Sequence, residues 1–244
     1  MKKLIVALAI ALLAPLAMAQ TYSFNIGAVS DYRYRGISQS RLKPALQGGI
    51  DLALPSGFYV GAWGSTIRWI KDIERAGGLP GDNELELDFY GGYKGEIGKG
   101  LGFDVGLLGY LYPSNNLTPS TNTTELYGAL TSGPFTLKYS HSLGNLFGFP
   151  RSGNSGYVDA SASFELAGFT VVPHLGYQKV SGNGSFSYTD YSLTVSKEWV
   201  SLLWSVALVG ADTKTIGGVP AYVSRANGKD LGKAGVVLGV KKTF

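Results

Sequence analysis

Tyr157 to Lys179 reads YVDASASFELAGFTVVPHLGYQK, two stretches of chain joined at Ala167-Gly168. Val158, Ala160, Ala162, Phe164 and Leu166 share one parity, and Asp159, Ser161, Ser163 and Glu165 the other. Successive side chains of a strand point to opposite faces, so this spacing predicts a strand over 155–166 with one apolar and one polar surface. A second strand follows over 169–179 after the tight turn. The pattern recurs in Glu84 to Lys94, where Leu85, Leu87, Phe89 and Tyr93 oppose Glu84, Glu86, Asp88 and Lys94. It recurs again where Tyr191, Leu193 and Val195 oppose Asp190, Ser192, Thr194 and Ser196.

A soluble sandwich alternates too, so the connections decide. Strands are predicted over 22–35, 44–54, 58–69, 84–95, 101–112, 122–131, 135–143, 155–166, 169–179, 186–197, 200–211 and 232–244. Short turns fall at Pro55-Ser56-Gly57, Ile97–Gly100, Ser132-Gly133-Pro134, Ala167-Gly168 and around Glu198-Trp199. They alternate strictly with longer polar loops near 36–43, 70–83, 113–121, 144–154, 180–185 and 212–231. Loop length segregated by end is the signature of an outer-membrane barrel, with tight periplasmic turns and long external loops. An all-β, closed antiparallel barrel of about twelve strands is therefore expected. Backbone groups within hydrocarbon must all be paired, so the last strand has to close on the first. The phase of the third strand stays open: if Tyr59, Gly61 and Trp63 face inward, Arg68 falls out of step unless a bulge intervenes.

The ends of the chain agree with export. Lys2 and Lys3, the apolar run Leu4 to Leu16 and Ala17-Met18-Ala19 make residues 1–19 a secretory signal peptide, leaving 20–244 as a single barrel domain. No later stretch reaches the roughly 18 apolar residues of a spanning helix. The chain has no cysteine, so closure of a sheet rather than disulfides must hold it. The formal charge of +4 includes the two signal lysines, and without them 19 basic residues face 17 acidic ones. Neither that balance nor any basic run points to nucleic acid.

Phe58, Phe103, Phe135 and Phe169 each come one to three residues after a short turn, and the C-terminal Phe244 belongs at the same level. Rings favour the headgroup boundary, so these five are expected to form a periplasmic aromatic girdle in contact with outer-membrane lipid and lipopolysaccharide. The terminal Phe244 resembles the signal by which the barrel-assembly machinery recognises its clients.

Longer stretches carry a family resemblance. Asp31 to Gln39 (DYRYRGISQ), Pro44 to Gly49 (PALQGG), Ser56 to Gly61 (SGFYVG), Tyr188 to Ser192 (YTDYS) and the Lys-Lys-Thr-Phe end resemble the TorF family of porin-like outer-membrane proteins. The resemblance implies an outer-membrane barrel with a channel role. It supplies neither a substrate nor a catalytic site.

Chemistry other than transport finds little support. A barrel lipase needs a histidine that reaches a serine, but His141 and Ser142 are adjacent and point to opposite faces. His174 has lumenal parity and no serine two positions away. With no cysteine and two histidines far apart, no metal-ligand spacing exists, and no cofactor is expected. The chain is thus read as a non-enzyme.

The lumen is where parity becomes informative. The first strand places Arg33 and Arg35 inward, and the last strand adds Lys233 and Lys241. Further round come Glu84, Glu86, Asp88, Asp104, Glu125, Asp159, Glu165 and Asp190, with Asp31, Asp51, Lys94 and Lys138 as exceptions to this separation of sign. A transverse field of this kind orients polar solutes in a constriction. Arg33 and Arg35, near the external mouth, are expected to set ion selectivity. Twelve strands enclose a space between the filled eight-stranded and the open sixteen-stranded cases. The expected function is passive diffusion of small polar or charged solutes. The alternative is a non-conducting barrel whose loops, especially 212–231, bind an external partner.

Overall fold

The computed structural model describes residues 20–244, and the signal peptide expected over 1–19 lies outside the described residues. Twelve antiparallel strands close into a barrel. They are β1 (Thr21–Val29), β2 (Ala45–Ala53), β3 (Phe58–Thr66), β4 (Leu85–Glu96), β5 (Leu101–Leu111) and β6 (Thr123–Ser132). The circuit continues with β7 (Phe135–Ser142), β8 (Gly156–Ala162, resuming at Phe164–Leu166), β9 (Phe169–Lys179), β10 (Tyr188–Trp199), β11 (Leu202–Asp212) and β12 (Gly235–Thr243). Every strand pairs with its neighbours in sequence, and β1 pairs with β12 from Asn25↔Thr243 to Val29↔Gly239. Phe24 and Phe244 exchange backbone hydrogen bonds of 3.2 and 2.8 Å, so the seam is held to the last residue.

The period-2 pattern sets the two faces. Ile26, Leu46, Val60, Leu107, Leu137, Leu175, Val206 and Leu238 all project outward and are exposed on the isolated chain. The opposite parity is inward, which settles the third strand: Tyr59, Gly61 and Trp63 pair with Gly92, Tyr90 and Asp88 on the lumenal side. No bulge is needed, because β3 ends at Thr66 and Arg68 lies beyond the strand. Phe58, Phe103, Phe135 and Phe169 carry the outward parity beside the short turns, and the Phe58, Tyr93 and Phe103 rings contact one another in a row.

Two turns are worked by backbone conformation. Ala167 and Gly168 both have positive φ (51° and 78°), as the twist-matched two-residue hairpin requires. Val200 and Ser201 do the same at 52° and 54°, so the β10–β11 turn lies there and not at Glu198-Trp199. A β-branched residue is uncommon in that conformation, and no glycine or asparagine marks the site in the sequence.

The long-loop end departs further from expectation. The first strand does not run to Arg35 but stops at Val29, and the chain turns into the barrel. The region expected to be loop 70–83 holds a helix, α1 (Trp69–Ala76), whose eight residues are too few for a clear 3.6-residue period. Ile67 and Ile70 are buried with Tyr32, Ala45, Tyr110 and Tyr112 in a hydrophobic cluster at this end of the barrel. The long loops therefore pack as a cap with a core of its own.

Candidate functional site

The wall of the lumen is built from tyrosines and glycines in register. Tyr59 lies opposite Gly92, and a Cβ added there would come within 2.5 Å of the Tyr59 hydroxyl. Gly106 opposes Tyr127 in the same way, again with the hydroxyl 2.5 Å from an added Cβ. Each glycine lets a ring lie along the wall instead of standing across the lumen. The hydroxyls then reach carboxylates: Tyr59 donates to Asp104 at 2.6 Å and Tyr90 to Asp51 at 2.5 Å. Tyr157 donates to Asp190 at 3.0 Å, and His174 Nε2 lies 2.8 Å from Asp159.

Across this wall lies the segment that leaves β1. Arg33–Tyr34 and Ile37–Ser38 form a small hairpin, with Arg33 paired to Ser38 and Tyr34 to Ile37. Its turn is Arg35-Gly36, both with positive φ (47° and 77°). Gly36 fits because a Cβ there would fall 2.7 Å from Asp190 Cβ and 2.7 Å from the Gly210 carbonyl oxygen. Asp31 ties the base, accepting from Ser38 Oγ at 2.5 Å, Ser40 Oγ at 3.1 Å and Arg33 Nε at 2.5 Å. At the tip, the Arg35 guanidinium donates to Glu125 Oε1 at 3.0 Å and Oε2 at 2.7 Å, and to Gln178 at 2.6 Å. It also stands over the Tyr34 and Tyr157 rings, 4.8 and 4.1 Å from their centroids. Tyr34 and Tyr110 share a 2.5 Å hydroxyl contact, and Tyr110 donates to Glu125 at 3.1 Å. One hairpin is thus bound to β6, β8 and β9 at once.

Three cavities follow one another along the barrel. The outermost, of about 380 Å³, lies under the cap and is walled by Trp69, Tyr112, Phe147, Phe149 and Tyr222. The next, of about 340 Å³, holds Arg33, Arg35, Lys138, Asp159, His174 and Asp190. The third, of about 410 Å³, holds Asp51, Tyr59, Lys94, Asp104 and Tyr127. Tyr34 lines the first two, and Leu108 and Lys138 line the second and third. The Tyr34–Arg35 layer is therefore the partition between the capped vestibule and the inner chambers.

The residues singled out from sequence separate into three groups. Glu86, Asp88, Asp104, Glu125, Asp159 and Asp190 lie on the inner wall, where the Tyr32 hydroxyl donates to Glu86 at 3.0 Å. Arg33 and Arg35 are inside but on the hairpin, not on the wall, because β1 ends before them. Glu84 and Lys233 are not lumenal. Glu84 precedes β4, its side chain is 54% exposed, and it pairs with Lys71 of the cap, whose hydrogen bond holds its carboxyl below the usual range. Lys233 is exposed and precedes β12. His141 shares the outward parity of Leu126, while Ser142 is buried on the inner face. Apart from Tyr59, whose inward phase the sequence leaves open, sequence reasoning passes over the lumenal tyrosines and Gln178. Tyrosine at inward parity opposite glycine on the next strand was the available signal, but it needs the register to be known.

A family described as "Bacterial protein of unknown function (Gcw_chp)" matches residues 14–244. Among solved structures, a KdgM porin in complex with disordered oligogalacturonate aligns with 93% of this chain and 99% of its own, at 8% identity and a TM-score of 0.54. The NanC porin aligns over 91% and 98%, at 9% identity and a TM-score of 0.53. Outer-membrane phospholipase A from Escherichia coli aligns over 92% and 95%, at 13% identity and a TM-score of 0.47. At such identities the likeness to the two porins shows the fold. No curated protein sequence matches the chain.

Proposed function

The chain belongs to the Gcw_chp family of bacterial proteins, and we propose that it is a porin-like, non-enzymatic channel of the outer membrane through which small polar solutes pass passively. One observation carries the reading: an apolar-outside, closed barrel whose inner face is charged and holds three cavities in series. The porin fold of the two aligned structures supports it, as does the resemblance to TorF porins. Single-channel recording in planar bilayers tests it. Stepwise conductance from the purified, refolded chain is the expected result, and a persistently silent bilayer would contradict it.

In this reading the short turns are periplasmic and the cap is external. Phe58, Phe103, Phe135, Phe169 and Phe244 meet the inner headgroup boundary, and lipid and lipopolysaccharide surround the outward face. Phe244 also serves as the assembly signal, consistent with its place at the seam. Deleting it should leave protein in the periplasm, and unchanged heat-modifiable migration of the membrane fraction would count against that role.

A second reading has an observation of its own. The hairpin and the folded cap obstruct the long-loop end, which suits a barrel that does not conduct and presents its loops to a partner. The same recording separates the two.

A further inference from the structure

We propose that the lumen favours cations over anions, the sign being set by wall carboxylates whose partners are neutral hydroxyls. The inference rests on the channel reading above, and it moves selectivity away from Arg33 and Arg35. Both arginines are already matched: Arg33 pairs with Asp31 at 2.5 Å and Arg35 with Glu125 at 2.7 Å, all with side chains under 10% exposed. Neither pair presents net charge to a solute.

What remains in the two inner chambers is Asp51, Asp104, Asp159 and Asp190 against Lys94, Lys138 and His174. Asp104 and Asp51 each accept from a tyrosine hydroxyl, which steadies a carboxylate without cancelling it, and Asp190 accepts from Tyr157 while His174, between it and Asp159, is the one group that can offset that pair. The lysines are not spent on these acids. Lys94 lies opposite Asp104 in the ladder, yet its ammonium sits 5.7 Å from the Tyr59 ring centroid, and Lys138 sits 4.1 Å from that of Tyr127. Among the described residues neither lysine forms an ion pair within 4.0 Å. Even with His174 protonated the chambers stay negative.

One further observation points the same way. Toward the short-turn end, Glu96, Glu165 and Glu198 carry inward parity against Lys241. A low-dielectric tube lined by one sign of charge concentrates the opposite ion.

The test uses a single thiol, since the chain has no cysteine. Ala53→Cys places it in the third chamber beside Asp51. The refolded full chain is reacted with trimethylammonium-bearing and sulfonate-bearing methanethiosulfonates, each rate normalised to a free thiol. In dilute salt the cationic reagent should be favoured about tenfold. The preference should fade near 1 M salt, where the screening length is about 3 Å. It should also shrink when Asp51→Asn and Asp104→Asn are added. A ratio at or below unity, or one that the two asparagines leave unchanged, overturns the proposal. Channel failure is a separate result, because a bilayer silent to the wild-type chain leaves the thiol ratio readable.

Discussion

Strands β2 and β3 and the hairpin at 31–40 both contribute to the lumen, yet different forces hold them in place. The strands are fixed by a continuous ladder, from Ala53↔Tyr59 to Gln47↔Ser65, and by an outward face that only lipid would cover. The hairpin has a ladder of just two pairs, and side-chain hydrogen bonds centred on Asp31 and Arg35 fix it instead. A wall of the first kind tolerates changes to its lumenal side chains as long as the register survives. An insert of the second kind depends on a few buried polar contacts, each of which can release it. The barrel is therefore the durable part and the hairpin the adjustable one.

The sharpest way to break this contrast is to remove the hairpin's anchor. Glu125→Leu leaves the Arg35 guanidinium buried without its counter-charge, a loss of about 3–5 kcal/mol. The cost should fall on the hairpin alone. Amide exchange at residues 31–40 is expected to rise while heat-modifiable migration of the barrel stays as it was. Collapse of the whole barrel would show that wall and insert are one cooperative unit. The complementary change strikes the wall. Ala160 faces outward between Val158 and Ala162, and Ala160→Arg at the membrane midplane should cost about 2–4 kcal/mol in urea unfolding from vesicles, with the hairpin unaffected. An unchanged midpoint would mean that Ala160 does not meet lipid.

The wall was legible in the sequence because its physics is periodic. Alternation and turn spacing placed β5 within a residue of its observed Leu101–Leu111, and β9 at its observed Phe169–Lys179. The hairpin was not legible for the same reason. Tyr32 and Tyr34 against Arg33 and Arg35 continue the period-2 pattern of β1, and alternation cannot say whether a strand stays in the sheet or bends out of it. The deciding contacts are tertiary: Gly36 seated against Asp190, and Arg35 chelated by Glu125, 90 positions away. Glu84 was misplaced by a boundary error of one residue, since it shares the parity of Glu86 but precedes the strand. The Tyr59–Gly92 and Tyr127–Gly106 pairs were invisible until the register put them face to face.

Osmotic swelling of liposomes tests directly whether the barrel wall passes solutes and whether the hairpin at 31–40 narrows it. Vesicles carrying the wild-type chain are compared with vesicles in which residues 31–40 are replaced by a short glycine-serine link. The wild-type chain should admit only the smallest polar solutes, and the shortened chain should swell several-fold faster and admit larger ones. Equal swelling by the two, with both chains folded and inserted, would mean that the hairpin does not narrow the lumen.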